Sequence, residues 1–258
     1  MKKTIKLLLL NSKIFMWGYN KYINRNRKIF RSCKKLFKNK SGVEIGGPSF
    51  VFTKDGPVPL YKIINQLDNI NYSDKTFWGK IDEGENFKFN INKQNGKQII
   101  ADATDLSKIN DDFYEFMLSS HVIEHVANPI RALNEWQRII KTGGYLAIIA
   151  PNALYTYDRN RPITKIEHII GDFNNLTEES DNTHFDEVIN MHDLTNDSTV
   201  NSYEDHVKRT LNNLNTRIVH HHTFNMDLLI DLLKYCNFKI ISTQSFKPYH
   251  LMVVAQKV

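Results

Sequence analysis

Cysteine is scarce in this chain of 258 residues, which holds only Cys33 and Cys236. Two thiols cannot build a disulfide framework or a zinc ribbon, and such sparing use predicts a reducing, cytoplasmic setting. Long apolar runs are also missing. Lys2 and Lys3 resemble a signal n-region, but the run Leu7–Leu10 is broken by Asn11, Ser12 and Lys13. That is too short for a signal h-region, and no small-residue cleavage site follows. It is far short of the ~20 apolar residues that span a bilayer. Internal repeats and low-complexity linkers are absent too. With 41% hydrophobic, 24% charged and 11% aromatic residues, wholesale disorder, a collagen-like fibre and a membrane bundle are excluded. The length suits one large domain, or one domain with an insertion.

Acidic residues are missing from the first 40 positions, which carry 13 Lys and Arg. The chain has 34 basic and 28 acidic residues in all, so the remainder is mildly acidic and the arm alone makes the protein basic. Such an arm meets anions: a lipid surface, nucleic acid or an acidic substrate. Residues 1–40 read as an amphipathic helix with Leu8, Ile14, Phe15, Trp17, Tyr22, Ile29, Phe30, Leu36 and Phe37 on its apolar side. Peripheral docking at the inner face of a membrane and a helix capping the core with a solvated basic face both satisfy this pattern.

After the arm, short apolar runs alternate with helical patterns, which predicts βαβ units and an α/β fold with a parallel sheet. Strands are expected at Val43–Ile45, near Ile63–Ile70, at Gln98–Ala101, Phe113–Leu118 and Tyr145–Ala150. A helix should start at the Asn128 cap with Pro129 first, and stop at Gly143-Gly144. A second helix should run from about Thr223 to Cys236. The last two strands, Phe238–Ser242 and Leu251–Ala255, lie too close together for a crossover helix and should be antiparallel. A small insertion is expected at Ser73–Asn95 and a large polar one at about 152–222, with seven of the ten histidines.

The first strand runs into Glu44-Ile45-Gly46-Gly47-Pro48-Ser49, where glycines would let a ligand approach the backbone. Asp68 follows Glu44 by 24 residues, near the expected end of the second strand, where an acid can bind both ribose hydroxyls. Asp102 closes the third strand and can accept from an adenine amino group, or serve as a turn former. Ser119, Ser120 and His121 close the fourth. Ligands bind at such strand ends in open α/β sheets. The missing third glycine and the antiparallel end disfavour a nicotinamide oxidoreductase.

In these segments the chain resembles class I S-adenosylmethionine-dependent methyltransferases of the type 11 group. The likeness rests on Glu44–Ser49, Asp102–Leu106, Ser119–His125, Asn128-Pro129, Ala132-Leu133, Glu135, Arg138–Gly144 and Pro151-Asn152. It implies a Rossmann-like methyltransferase fold: a mostly parallel seven-stranded sheet, the last strand antiparallel, with helices on both faces. Residues 41–258 would form this domain, and the insertion at 152–222 would bind the acceptor. The resemblance implies that Gly46 and Gly47, in the turn with Pro48 and Ser49, pass under the methionine part of S-adenosyl-L-methionine, with Glu44 beside its amino group. Asp68 would hold the ribose, with Asp74 and Asp82 as rivals. Asp102 and the Ala103 backbone would hold adenine, and Ser119 and His121 would line the methyl side.

Methyl transfer needs positioning and the removal of one proton, and a histidine suits that task. His121 is the best-placed base; His184 and His221 in the insertion are the other candidates. Glu124 and His125 are either a packing pair or direct participants. Arg159 and Arg161 are natural anchors for phosphate or carboxylate, and His168, His192 and His222 are further substrate-binding candidates. The insertion's imidazoles and carboxylates would suit a divalent ion, but their spacings match no compact motif, so none is predicted. The segments Arg161-Pro162, Glu167-His168, Asp172-Phe173, His192-Asp193-Leu194 and His220–Phe224 resemble methyltransferases of surface-polysaccharide biosynthesis. That likeness implies a sugar or nucleotide-sugar acceptor. Another small metabolite, as N- or O-acceptor, and a non-enzymatic anion- or membrane-binding module are the alternatives. Nucleic acid is not an expected partner, because the body is acidic and lacks an aromatic-basic stripe. A homodimer is left open.

Overall fold

The computed structural model describes residues 28–76 and 79–258. The first described element is helix α1 (Lys28–Phe37). Ile29, Cys33 and Phe37 recur every four residues and are fully buried, while Lys28, Arg31, Lys34 and Lys35 face solvent. Phe37 packs edge-on to Phe116, ring centroids 5.2 Å apart. This part of the arm therefore caps the core. The candidate apolar positions Leu8, Ile14, Phe15, Trp17 and Tyr22 lie outside the described residues. No helix among those described is long and apolar enough to cross a membrane.

Strand β1 (Ser41–Ile45) is followed by two single 3-10 turns, Phe50–Phe52 and Leu60–Lys62, and then by β2 (Gln66–Asn71). A separate ribbon, β3 (Lys75–Thr76) with β4 (Gly79–Lys80), precedes β5 (Gly84–Phe87) and β6 (Gly96–Ile100). Then come β7 (Tyr114–Ser120), α2 (Pro129–Ile139) and β8 (Ile140–Pro151). The side chain of Asn128 caps α2 by accepting from Arg131 N. The helix stops four residues before Gly143, and the glycine pair lies inside β8, not at the helix end.

The segment 152–222 carries the short helices α3 (Ile166–Asn174), α4 (Phe185–Met191), α5 (Tyr203–Leu211) and α6 (Asn213–Thr216). Helix α7 (Met226–Tyr235) leads into β9 (Phe238–Phe246) and β10 (His250–Lys257).

Among the described residues, one sheet of eight strands runs in the order β5-β6-β2-β1-β7-β8-β10-β9. The central strands from β6 to β8 are parallel, and β10 is antiparallel to both β8 and β9. The count exceeds seven because the insertion at 73–95 adds β5 antiparallel to the edge of β6. Each face of the sheet has its own core. On one, Leu133, Trp136, Leu229, Leu232 and Cys236 pack over Val43, Met117 and Ile148. On the other, α1 and the 3-10 turns bring Cys33, Phe37, Phe52 and Tyr61 against Leu67, Phe116 and Leu118.

Because Phe37 is fully buried, Phe37→Ala should cost about 3–5 kcal/mol of stability, read by urea unfolding. A loss under about 0.5 kcal/mol would make α1 a surface appendage.

Candidate active site

The carboxyl ends of β1, β2, β6, β7 and β8 border one cavity of about 420 Å³, within the range of about 300–1,000 Å³ common for small-molecule sites. Gly46, Asn71, Asp102, His121 and Pro151 form that side of its wall. Segment 152–222 forms the other side, through Tyr155, Tyr157, Asn196, Arg209, Arg217 and His220.

The glycine turn is held from beneath. Gly46 has φ +76, and a Cβ there would meet Val122 Cγ2 at 2.6 Å, so the position requires glycine. Gly47 N donates to Asn69 Oδ1 at 2.9 Å, and Asn69 Nδ2 returns a bond to Gly47 O at 2.9 Å. A Cβ on Gly47 would lie 2.6 Å from the carboxylate carbon of Glu44. Glu44 is fully buried; the Tyr61 hydroxyl donates to its Oε2, and Oε1 has no hydrogen-bond partner among the described residues. Burial pushes the Glu44 carboxyl up to about 7, against the pull of nearby Ser49 and Tyr61.

The loop after β6 is pinned by α2. Trp136 Nε1 donates to Ala103 O at 3.0 Å. Asp102 Oδ1 accepts from Thr104 N at 2.9 Å, so this residue does form a turn. Its Oδ2 faces Arg217 Nη2 at 3.2 Å.

At the end of β7, His121 takes φ +56, an uncommon conformation for a residue with a Cβ. Its Nδ1 lies 3.3 Å from Glu124 Oε1 and its Nε2 lies 2.9 Å from His250 Nδ1. A carboxylate only accepts, so the proton is assigned to His121 Nδ1 and Nε2 is the basic nitrogen. Burial opposes ionisation of Glu124, but the bond from His121 and the nearby imidazoles hold its carboxyl below the ordinary value. His125 approaches the same carboxylate oxygen, with Nε2 at 3.9 Å, and its Nδ1 faces Val219 O at 3.1 Å. Burial and the neighbouring His220 push His125 down to about 4.

Of the expected site residues, Gly46, Asp102, Ala103 and His121 line the cavity. Glu44, Gly47, Pro48 and Ser49 make up the turn and its support behind that wall. Ser119 is fully buried beside Ile45 of β1, and neither it nor Ser120 reaches the cavity.

Asp68 must be corrected. It lies in the middle of β2, not at its end, because the strand starts at Gln66. Both its oxygens are engaged, Oδ1 by Lys97 N and Oδ2 by the Tyr114 hydroxyl, each at 2.8 Å. Its rivals fare no better: Asp74 and Asp82 are exposed and off the cavity wall, and Asp82 pairs with Lys80 at 2.9 Å.

The histidine and arginine candidates of the insertion are also corrected, since none lines the cavity. His221 is fully buried with its Nε2 3.2 Å from Asn213 Nδ2. His184, His168 and His222 gather in a separate cluster. Arg161 is buried on Asp158 and Glu187, at 2.8 and 2.7 Å. Arg159 pairs with Asp193 at 2.7 Å, and His192 is held 3.0 Å from Asp197 and stacks on Tyr157. Sequence reasoning missed Asn71, Tyr72, Tyr157, Arg217 and Tyr249, and reached His220 only as part of the His220–Phe224 run. The signal for Asn71 and Tyr72 was their place at the carboxyl end of β2, directly after Ile70. The others sit in stretches with no periodic pattern.

Residues 81–148 match the methyltransferase domain family. A structure of an S-adenosylmethionine-dependent methyltransferase from Methanosarcina mazei aligns with 90% of this chain and 98% of its own, at 14% identity and a TM-score of 0.51. One from Aquifex aeolicus aligns over 90% and 88%, at 11% identity and a TM-score of 0.46. A possible histamine N-methyltransferase from Thermotoga maritima aligns over 95% and 99%, at 18% identity and a TM-score of 0.45. No curated protein matches the chain. The fold is the Rossmann-like methyltransferase fold. Domain and fold together support an S-adenosylmethionine-dependent methyltransferase and imply that molecule as cofactor.

The site fits such a cofactor on its own chemistry. A glycine turn opens on the cavity at Gly46, and the orphaned Glu44 Oε1 lies beneath the turn. Asp102 lies further along the same wall.

Glu44 also makes stability depend on pH. Its carboxyl rises from about 4.5 unfolded to about 7 folded, so the native state holds a proton that the unfolded chain releases. That stabilisation is complete below about pH 4.5 and is lost as pH rises through 7. Relative to Glu44→Gln, which cannot ionise, the wild type should lose about 2–3 kcal/mol between pH 5 and pH 8 in urea titrations. Parallel behaviour of the two proteins would mean that Glu44 is solvated.

Proposed function

We propose that the protein is an O-methyltransferase whose acceptor is a sugar hydroxyl, on a nucleotide-sugar or on a surface-glycan precursor. The observation that carries this reading is the His121–Glu124 pair on the cavity wall. A neutral hydroxyl needs a base to take its proton as it attacks, and the pair supplies one with a defined tautomer. Both arginines on the wall are already paired, Arg209 with Asp197 at 2.7 Å and Arg217 with Asp102 at 3.2 Å. Such a wall suits a neutral acceptor group. Tyr155 and Tyr249 on the wall are exposed and offer flat apolar faces to a sugar ring, while the Tyr72 and Tyr157 hydroxyls are held by Asn215 O and His220.

Bound S-adenosylmethionine supplies an electrophilic methyl group on a sulfonium. Gly46 and Gly47 would admit its methionine part, and Glu44 would meet the ammonium group. Asn71, in the place intended for an acid, would hold ribose, and Asp102 with Ala103 would hold adenine. His121 Nε2 now faces His250 Nδ1. The acceptor hydroxyl would replace that partner and pass its proton to Nε2, while Glu124 holds the Nδ1 proton and steadies the imidazolium. The exposed cations of α1 are compatible with peripheral contact on an anionic surface in the cytoplasm.

Calorimetric titration with S-adenosylhomocysteine should give micromolar binding, with NAD as the silent control. Asp102→Ala should weaken that binding at least tenfold, because a lost charge-assisted hydrogen bond costs about 1.5–3 kcal/mol. Unchanged affinity would remove Asp102 from the cofactor site. Methyl transfer would be screened over nucleotide-sugars, free sugars and small amines. His121→Ala should abolish most turnover on the sugar acceptor while keeping cofactor affinity. Full activity in that variant, or transfer to amines alone, would defeat the reading.

A further inference from the structure

Outside the cavity, a second group of polar side chains converges on one point. His168 and Asp172 lie one turn apart on α3, His184 directly precedes α4, and His222 lies in the strap that leads to α7. We propose that these four residues form a zinc site that ties three segments of the 152–222 region together. One ligand atom from each of the four lies within 4.8 Å of all the others. His168 Nε2 is 3.1 Å from His184 Nε2 and 3.4 Å from Asp172 Oδ2, which is 3.0 Å from His222 Nε2.

A tetrahedral Zn²⁺ with bonds of about 2.0–2.1 Å sets its donors about 3.3–3.4 Å apart. Three of the separations, 3.0, 3.1 and 3.4 Å, fall beside that value. Hydrogen bonding alone does not account for the arrangement: His168 Nε2 faces both the Asp172 carboxylate and His184 Nε2, and a single ring nitrogen cannot serve both partners, whereas one cation can accept a lone pair from each. Three imidazoles and one carboxylate suit zinc rather than Mg²⁺ or Ca²⁺, which prefer oxygen. Four protein ligands leave no position for a substrate, which is the arrangement of a structural site. Asp172 and His222 are buried, whereas His168 is 45% exposed in its side chain, so an ion can enter past it.

The spacings, four residues within α3, then twelve and thirty-eight along the chain, follow no compact motif. The fold assembles the site from distant segments. None of the four lines the cavity, so the site does not depend on the proposed acceptor.

The test uses the whole protein, stripped with a chelator and titrated with Co²⁺ alone. The expected result is one equivalent bound, with the intense visible bands of tetrahedral cobalt, displaced by one equivalent of Zn²⁺. Zinc should also raise the melting temperature. His168→Ala and His184→Ala should each weaken zinc binding at least tenfold with unchanged far-ultraviolet circular dichroism. His168 is half exposed, so its variant should fold. His125→Ala probes the smaller group of Glu124, His125 and His220 on the cavity wall. That variant should bind zinc like the wild type. Faint octahedral spectra, no uptake, full affinity in both ligand variants, or loss confined to His125→Ala would each overturn the proposal.

Discussion

One buried guanidinium ties the start, the middle and the end of segment 152–222 together. Arg161 follows the sheet's last parallel strand, and its side chain is 1% exposed. Its Nε donates to Glu187 at 2.7 Å, and Nη1 donates to Asp158 and to His220 O, both at 2.8 Å. Nη2 reaches His221 O at 3.3 Å. The planar fork of arginine allows such simultaneous bonds in fixed directions. The carbonyls it grips belong to the strap that carries His220 to the cavity wall and His222 to the histidine cluster. Asp158 compensates the charge and also accepts from His220, so one ion-paired network fixes the shape of the segment that covers the cavity. A charge buried this deeply is tolerable only with its partners in place.

Seven of the eight strands were legible in the sequence because apolar runs mark them and crossover rules then order them, whereas the polar, exposed β5 carries no such signal. Gly46, Asp102 and His121 were legible for the same reason: topology puts strand ends on one edge. Asp68 was not. Its strand begins three residues later than the apolar pattern suggested, which shifts the acid from the rim to the interior, and no local pattern announces a tyrosine partner 46 residues away. In the insertion, residue type misled. Arginine and histidine read as chemistry, yet Arg161, His192 and His221 are struts, tied both to near neighbours and to the distant Glu187, Tyr157 and Glu124. Arg217, which does reach the cavity, sits in a stretch with no period to give its direction.

Asp102 has two tasks in tension. One oxygen shapes its own turn and the other meets Arg217, which also bonds Glu179 at 2.5 Å. A base edge arriving at Asp102 would have to share that oxygen with the guanidinium or displace it. Arg217 belongs to the same strap as His220, so the cofactor edge and the proposed acceptor wall are joined by a few residues of chain.

The two cysteines lie in different cores, Cys33 beneath the sheet in α1 and Cys236 above it at the end of α7. Burial pushes each thiol up to about 12. At neutral pH only about one molecule in 10⁵ would carry a thiolate at either position, so native protein is nearly inert to alkylating reagents. Whatever labelling occurs must pass through opening of the structure. The chain thus carries one internal reporter for each side of the sheet, and the ratio of their modification rates registers whether the two layers come apart together or one before the other.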